Sequence, residues 1–398
     1  MGQRKGQIPA HITEVEFKHP GAEHPLIVIL ERVEDPRKPS CNFRHSLTTI
    51  LLICLVGMLS GAEDWEEIFY CAVGQEEWLK QYVDLSNGIP SRQTIERVMS
   101  ILPTETLEKL LADCSWLVVK GATGGLKGDI VSFDGKTMKG TRGWAPEHKA
   151  LHLLHAWSNR HRICLAQRSV SEKTNEITAI PELIQALALE GTIVTTDALN
   201  AQKEVATAIA GKKADYVLPI KGNHPSLLAD IELLFAEADA CNFRGLDAAQ
   251  LDTTEKSGGR VEERHYALLD ASELPALQDW KGATCVGRII RQRTKAGKTC
   301  VETTYYLTTL DGDIESFAEA ARSHWGVENG LHWSLDVIFR EDRHRYQDRI
   351  GAANLSVLRK VALAILSKDT TIKKGRKTKM MLFATSPQFR NHILKNCF

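Results

Sequence analysis

Apolar positions recur with a helical spacing in the first third of this 398-residue chain. From Leu26 to about Lys120 the pattern predicts an all-helical domain (26–120), with helices over Leu47–Leu59, Trp65–Tyr70 and Leu107–Val119. Ser91 is the predicted N-cap of a further helix, Arg92–Leu102. Residues 1–25 are polar and weakly patterned, and their structure stays open.

The pattern changes to strand-like runs after Gly128. Three strands are predicted first, over Asp129–Asp134, Leu151–Ser158 and Ile163–Val170. Helices and strands then alternate, over Ala179–Leu189, Thr192–Thr196, Gln202–Ala210, Asp215–Ile220 and Ser226–Ala238. This order is that of an α/β domain with a ribonuclease-H-like fold.

A second β-rich stretch follows at about 240–310. Its predicted strands are Val261–Leu268, Ala283–Gln292 and Cys300–Leu307, with turns at the glycines between them. Helical patterns return at Ile314–Ser323 and Ile350–Leu366. We interpret residues 121–370 as one α/β domain that carries a β-rich insertion, followed by a basic segment, 371–398.

Composition is that of an ordinary soluble protein, with 43% hydrophobic and 25% charged residues. The longest apolar run, Leu47–Leu59, has 13 residues, fewer than the roughly 20 that cross a bilayer. Met1–Leu30 lacks the pattern of a secretory signal. Nine cysteines without a CxxC pair favour reduced thiols. These features predict a cytoplasmic protein without a membrane partner.

The net charge is zero, but it is unevenly distributed. Arg322–Phe398 contains 15 Lys+Arg and 6 Asp+Glu, which leaves 35 basic and 44 acidic residues in the rest of the chain. The densest cluster is Lys373–Lys379. Such an excess predicts a basic surface for a polyanion, although a solvated loop would have the same composition.

Three acidic residues stand in distinctive settings. Asp134 and Asp197 follow apolar, strand-like runs, and Glu328 lies in a helical segment. Several converging carboxylates can hold two divalent metals that stabilise the attacking and leaving oxygens of a phosphodiester. Magnesium suits such a site because it takes oxygen ligands and keeps waters for the phosphate. The competing interpretations are that both aspartates are strand-end caps, and that Asp336 replaces Glu328 as the third ligand.

Several motifs, in order, resemble the H-repeat-associated insertion-sequence transposases, a family with a DDE catalytic domain. They are Asp35-Pro36-Arg37, Gly88-Ile89-Pro90-Ser91, Asp134-Gly135-Lys136-Thr137, Thr196-Asp197-Ala198, Lys221-Gly222-Asn223-His224 and the run from His324 to Val337. The resemblance covers Leu26 to Lys368. It implies a ribonuclease-H-like fold behind a transposase-associated helical domain, and Asp134, Asp197 and Glu328 as catalytic metal ligands. It also implies two Mg²⁺ ions, with Mn²⁺ as a substitute, and a homodimer on DNA.

The glutamate helix departs from one pattern of related transposases. Their tyrosine-arginine-glutamate-lysine signature is not present, because Ala321 and His324 stand at the first two positions and Leu335 at the last. A His-Trp pattern takes its place.

Five further residues are candidate DNA contacts. Lys136, Lys139 and Lys221 follow predicted strands and could bind phosphates beside the scissile bond; solvated lysines would look the same. Trp325 and Trp333 flank Glu328 and are either core residues or platforms on which an unpaired base stacks.

The predicted function is metal-dependent cleavage of DNA at the ends of an insertion element and transfer of the 3′-hydroxyl to target DNA. Three alternatives remain. One is a nuclease of the same fold without strand transfer, and another is a catalytically inactive, transposase-derived DNA-binding protein. The third, a structural module without DNA, is disfavoured by the basic C-terminal part of the chain.

Overall fold

The computed structural model describes residues 19–38, 43–122, 124–142, 149–170, 176–343 and 348–396. The fold is mixed α/β and contains a nine-stranded sheet. The sequence predicted no structure for residues 1–25. Of these, residues 1–18 lie outside the described residues.

Helices and strands have the following bounds. The helices are α1 Pro25–Glu31, α2 Leu47–Ser60, α3 Trp65–Gly74, α4 Glu76–Leu79, α5 Arg92–Ile101, α6 Thr104–Lys120, α7 Glu176–Ala186, α8 Lys203–Gly211, α9 Pro225–Ala240, α10 Ile314–Ser323, α11 Arg349–Lys368, α12 Arg376–Thr385 and α13 Pro387–Lys395. The strands are β1 Ile130–Met138, β2 Leu151–Ser158, β3 Ile163–Val170, β4 Ile193–Thr195, β5 Asp215–Ile220, β6 Ala248–Ser257, β7 Arg260–Asp270, β8 Cys285–Lys295 and β9 Lys298–Thr308.

The chain divides into two compact units. As far as their ranges are described, one comprises Met1–Val118, Gly140–Pro146 and Leu335–Phe398, and the other Val119–Lys139 and Glu147–Ser334. The C-terminal helices α11 to α13 therefore belong to the same compact unit as the N-terminal helices. The prediction instead assigned residues up to 370 to the α/β domain. The functional domain boundaries stay a prediction.

The first unit is built around two apolar helices. Residues Leu47–Leu59 of α2 are buried on every side, and α11 packs against α2 and α5. Asn354 on α11 donates from its side-chain amide to the carbonyls of Met99 and Leu102, both at 2.8 Å. It thereby satisfies carbonyls at the end of α5 that lack helical partners. The predicted N-cap of α5 is confirmed, because Ser91 Oγ accepts from Thr94 N at 3.3 Å.

Helix α11 has the length and composition of a membrane span, and so does the bent α2–α3 pair. However, 89% of the apolar window of α11 is buried inside the protein. Arg359 on this helix is fully buried and lies 3.5 Å from Glu341 Oε1, which also accepts from Ser356 Oγ at 2.7 Å. Paired internal charges of this kind are those of a core helix.

The basic C-terminal segment exposes less positive charge than its composition predicts. Lys379 is buried, donates to Leu366 O at 3.1 Å and lies 2.9 Å from Asp369 Oδ2. Arg390 is also buried and donates to two carbonyls at the end of α12, Phe383 O and Ala384 O. Within the densest cluster, Lys373–Lys379, the exposed lysines are Lys373, Lys374 and Lys377.

The second unit contains the sheet, whose strand order is β3-β2-β1-β4-β5-β9-β8-β7-β6. Strands β1, β4 and β5 run parallel, and all other neighbours are antiparallel. The predicted β-rich insertion is not a separate layer, because β9 pairs with β5 and continues the same sheet. It also contains a fourth strand, β6, that the sequence pattern did not predict.

The predicted bounds of β2, β3 and β5 are confirmed. The predicted bounds of the first strand of the domain, β1, are wrong. The strand over Asp129–Asp134 was expected to end at Asp134, whereas β1 continues to Met138. Gly135 to Met138 are held in the strand because they pair with Leu154 to Leu151 of β2. Asp134 therefore lies inside a strand and not at its end.

Candidate active site

Asp134 and Asp197 lie at the same level of the sheet. Strands β1 and β4 are parallel and pair Ser132 with Thr195. Asp134 lies two residues after Ser132 within β1, and Asp197 lies two residues after Thr195, just beyond the end of β4. The sheet therefore brings the two carboxylates, far apart in sequence, to one edge.

Glu328 begins a π-helical turn, Glu328–His332, and its side chain is exposed. Two glycines bring this segment close to β2. A Cβ on Gly330 would lie 2.6 Å from Trp157 Cζ2, and one on Gly326 would collide with Asn159 Oδ1. π-Helical turns are rare and often occur at functional sites.

The electrostatics of Asp134 show that the charges of the other two acids act on it. Burial, the negative charge of Asp197 and the weaker effects of Glu328 and Glu176 together raise the pKa of Asp134 from its ordinary 3.8 to about 7, against the hydrogen bond from Gly135 N. Asp197 and Glu328 therefore lie close enough to Asp134 to act on its charge. The catalytic role of the three acids stays a prediction.

Histidines line the same side of the site. His332 Nδ1 lies 3.7 Å from Asp134 Oδ2, and His332 Nε2 lies 3.3 Å from Nδ1 of His155, the residue that pairs with Asp134 across the sheet. His324 contacts Thr195 Oγ1 at 3.0 Å, and burial lowers the pKa of His324 to about 4. Because His324 is neutral at physiological pH, it supplies no cation where related transposases have an arginine.

A buried polar network supports the aspartates from the opposite face of β1. Asn200 donates from its backbone N–H to Asp197 Oδ1 at 3.0 Å and from its side-chain amide to Glu176 Oε2 at 2.6 Å. Glu176 also pairs with His152, and both side chains are buried. A Cβ on Gly135 would lie 2.5 Å from His152 Nε2 and closer still to Glu176 Oε1. This position next to Asp134 therefore requires glycine.

The three acids offer oxygen ligands for a divalent metal ion. Among the described residues, no group of three or more His, Cys, Asp or Glu side chains is arranged as a formed metal site. The donor set nevertheless fits magnesium, which prefers carboxylate oxygens. Besides burial, the negative charges of Asp197 and Glu328 raise the pKa of Asp134, and a bound cation would relieve that repulsion. Asp134, Asp197 and Glu328 are the residues that would hold it.

The three candidate lysines differ in their positions. Lys136 was expected to follow a strand, but it lies within β1 and is 7% exposed. Lys139 is exposed in the short turn after β1. Lys221 is exposed directly after β5, and its loop is tied to the Asp197 loop because Asn223 donates to Ala198 O at 2.8 Å. Lys139 and Lys221 therefore remain accessible to a phosphate.

Trp325 and Trp333 are 55% and 52% exposed, so neither is a core residue. Asp336, the alternative third ligand, belongs to the other compact unit. Glu341, another nearby acid, is buried against Arg359.

The candidate set missed His152, Glu176 and Asn200. No local pattern marks them, because each is a single polar residue in an ordinary element. His332 belongs to the His-Trp pattern around Glu328, but it was not among the candidate site residues. The glycines at 326 and 330 did carry a signal, since their four-residue spacing places them on one face of a helix.

Comparison with known proteins assigns most of the chain. Residues 125–365 match a family model described as the transposase DDE domain. Residues 27–116 match the domain described as associated with it.

Two relatives from Escherichia coli match nearly their whole length. "Putative transposase YncI" of strain O157:H7 is 35% identical over 366 residues, 89% of this chain and 90% of that protein. "H repeat-associated putative transposase YhhI" of strain K12 is 34% identical over 365 residues, which are 88% of this chain and 92% of that protein. A solved piggyBac transposase synaptic complex with hairpin DNA covers 94% of this chain and 77% of its own, with a TM-score of 0.42 and 10% identity.

Proposed function

The chain belongs to the transposase family defined by the DDE domain and its associated domain, and on that premise we propose that it cleaves the ends of an insertion element and transfers the 3′-hydroxyl to target DNA. The observation that carries the proposal is the effect of Asp197 and Glu328 on the pKa of Asp134. Two aspartates at the same level of a sheet, with a glutamate whose charge acts on one of them, are the kind of acidic cluster that metal-dependent phosphodiester chemistry needs.

We assign a ribonuclease-H-like fold to the catalytic domain and a DNA-end or dimerisation role to its associated helical domain. Support for the fold comes from the strand order β3-β2-β1-β4-β5, with β1, β4 and β5 parallel and β2 and β3 antiparallel. We further propose that a homodimer pairs the two element ends in the cytoplasm.

In the proposed mechanism, Asp134, Asp197 and Glu328 would hold two Mg²⁺ ions, for which Mn²⁺ could substitute. The bound metals would activate the attacking oxygen and stabilise the leaving one. The chain's own contribution is positioning. Asn200 fixes the Asp197 loop, and the glycine contacts at Trp157 fix the Glu328 turn. No covalent bond between protein and DNA is needed.

We propose that Lys139 and Lys221 bind phosphates beside the scissile bond. For Lys136 we keep the same role, because it shares a strand face with Asp134, although its burial limits it to close contacts. Trp325 and Trp333 would stack on an unpaired base at the cleaved end, a contact worth about 1–3 kcal/mol per base.

The test uses purified protein and a duplex that carries the inverted repeats flanking its gene. Asp134→Asn and Asp197→Asn should abolish Mg²⁺-dependent cleavage and retain folding and DNA binding. Asp279→Asn, at an exposed carboxylate paired with Lys203, is the matched control and should be active. Substantial cleavage by either active-site variant would overturn the assignment.

The same experiment separates the alternatives. A nuclease would cut but would not join the liberated 3′ end to a second duplex. An inactive DNA-binding protein would bind the repeats without cutting them in Mg²⁺ or Mn²⁺. Trp325→Ala and Trp333→Ala, measured on a substrate with a pre-exposed base, test the stacking role. Unchanged cleavage by the folded variants would remove it.

A further inference from the structure

Strands β6 to β9 extend well beyond the sheet edge that carries the two aspartates. The level of Asp197 on β4 corresponds to Pro219 on β5, and Pro219 pairs with Tyr306 on β9. From Tyr306, β9 continues for eight residues to Lys298. At about 3.4 Å per residue, its end lies roughly 27 Å past the aspartates in the strand direction.

This far end carries a row of three cations on one face of the sheet. Arg260 of β7 pairs directly with Lys295 of β8, and Lys295 pairs directly with Lys298 of β9. Directly opposed residues have Cβ atoms about 4.5–5.5 Å apart, and like charges in such pairs destabilise a sheet. The free protein thus holds a repulsive arrangement at this end.

Elsewhere on this face of the sheet the arginines form ion pairs with glutamates, whereas most of the cations at the far end of the strands do not. Arg264 pairs with Glu262 of its own strand, and Arg291 of β8 pairs with Glu302 of β9. Arg322 of helix α10 pairs with Glu255 of β6. In the part of the chain that the structure describes, Arg293, Lys295 and Lys298 form no ion pair, and all three are exposed. Glu262 pairs with Arg260 and Arg264 and lies directly across the sheet from Arg293. This single carboxylate is shared among several cations, so the end of the strands keeps an excess of positive charge.

We propose that this basic end of β7–β9, formed by Arg260, Arg293, Lys295 and Lys298, binds the phosphate backbone of DNA that is held in the active site. A polyanion would relieve the cross-strand repulsion. For DNA that runs along the strand direction from the active site and rises 3.4 Å per base pair, the contact falls about eight base pairs from the scissile phosphate. The inference rests on the proposed function, since it needs DNA at the aspartates.

The test compares two full-length variants that lose the same charge. Arg260→Gln/Lys295→Gln/Lys298→Gln removes the row. Lys127→Gln/Lys212→Gln/Lys213→Gln removes three lysines from the opposite edge, near the starts of β1 and β5. Binding to a 30-base-pair duplex is measured by fluorescence anisotropy in Ca²⁺ across a salt titration. Each lost phosphate contact lowers the slope of log K against log salt by about 0.9. The magnitude of this slope should therefore fall by about 2–3 in the variant without the row of cations, and by less than one in the control variant.

A single reversal, Lys298→Glu, separates a binding role from a structural one. It replaces a Lys–Lys pair by a Lys–Glu pair, so the thermal midpoint of the free protein should rise while DNA affinity falls. A fall in both would assign the row to folding and overturn the inference. Equal slopes for the row and control variants would overturn it as well and leave the proposed function intact. Absence of DNA binding by the unaltered protein would overturn both proposals.

Discussion

The side-chain amide of Asn200 donates a 2.6 Å hydrogen bond to Glu176 Oε2. Both residues are buried, and the backbone N–H of Asn200 donates to Asp197. A candidate metal ligand is thus positioned by a carboxylate that faces away from the site.

The first prediction concerns this link. Asn200→Ala removes a hydrogen bond to a buried carboxylate, which should lower the free energy of unfolding by about 2–3 kcal/mol. The Asp197 loop should also loosen, so that half-maximal cleavage requires more Mg²⁺. Urea unfolding and a metal titration measure the two effects. A loss of stability with an unchanged metal requirement would show that Asn200 supports the fold alone.

Gly135→Ala tests the close approach beneath Asp134. The added methyl group would overlap His152 and Glu176, and overpacking of this kind costs about 1–3 kcal/mol. Gly211→Ala is the control, because a Cβ at Gly211 meets no atom within 4 Å. Thermal unfolding of the two variants should differ clearly, and equal midpoints would contradict the prediction.

The pKa of Asp134 predicts a pH dependence of stability. Since the folded protein raises this pKa from 3.8 to about 7, it binds more protons than the unfolded chain between those values. Stability from this group is therefore complete below pH 4 and is lost as the pH rises through about 7. In metal-free buffer the difference between the unaltered protein and Asp134→Asn should follow that course. A difference that does not change from pH 4 to 8 would refute it.

The third acid is decided by comparing Glu328→Gln with Asp336→Asn. Glu328 acts on the pKa of Asp134, whereas Asp336 belongs to the other unit. Glu328→Gln should reduce Mg²⁺-dependent cleavage more than about a hundredfold. Asp336→Asn should retain most activity. The opposite ranking, with DNA binding intact in both, would make Asp336 the ligand.

Local pattern predicted many of the elements and their order. The bounds of β2, β3 and β5 and the cap at Ser91 follow from short runs of residues, because periodicity and capping are local properties. The first strand was predicted too short. Its last residues, from Gly135 onward, have no strand pattern of their own and are extended because β2 pairs with them.

The amino-acid composition predicted a larger basic surface than the structure has, because some of the cations are buried. The excess of Lys and Arg after Arg322 predicted a basic surface, yet Arg359, Lys360, Lys379 and Arg390 are buried. A charge count cannot separate a cation paired inside the protein from one facing solvent.

The sequence by itself determined the family, the three acids and the order of the elements around them, because motifs and periodicity are written in neighbouring residues. Only the tertiary structure decided how the acids act on one another, which polar residues support them, and that Arg260, Lys295 and Lys298 form one row. The reason is physical. Cross-strand register brings distant residues into contact, and burial sets the pKa of a carboxyl group, and neither is a property of the local chain.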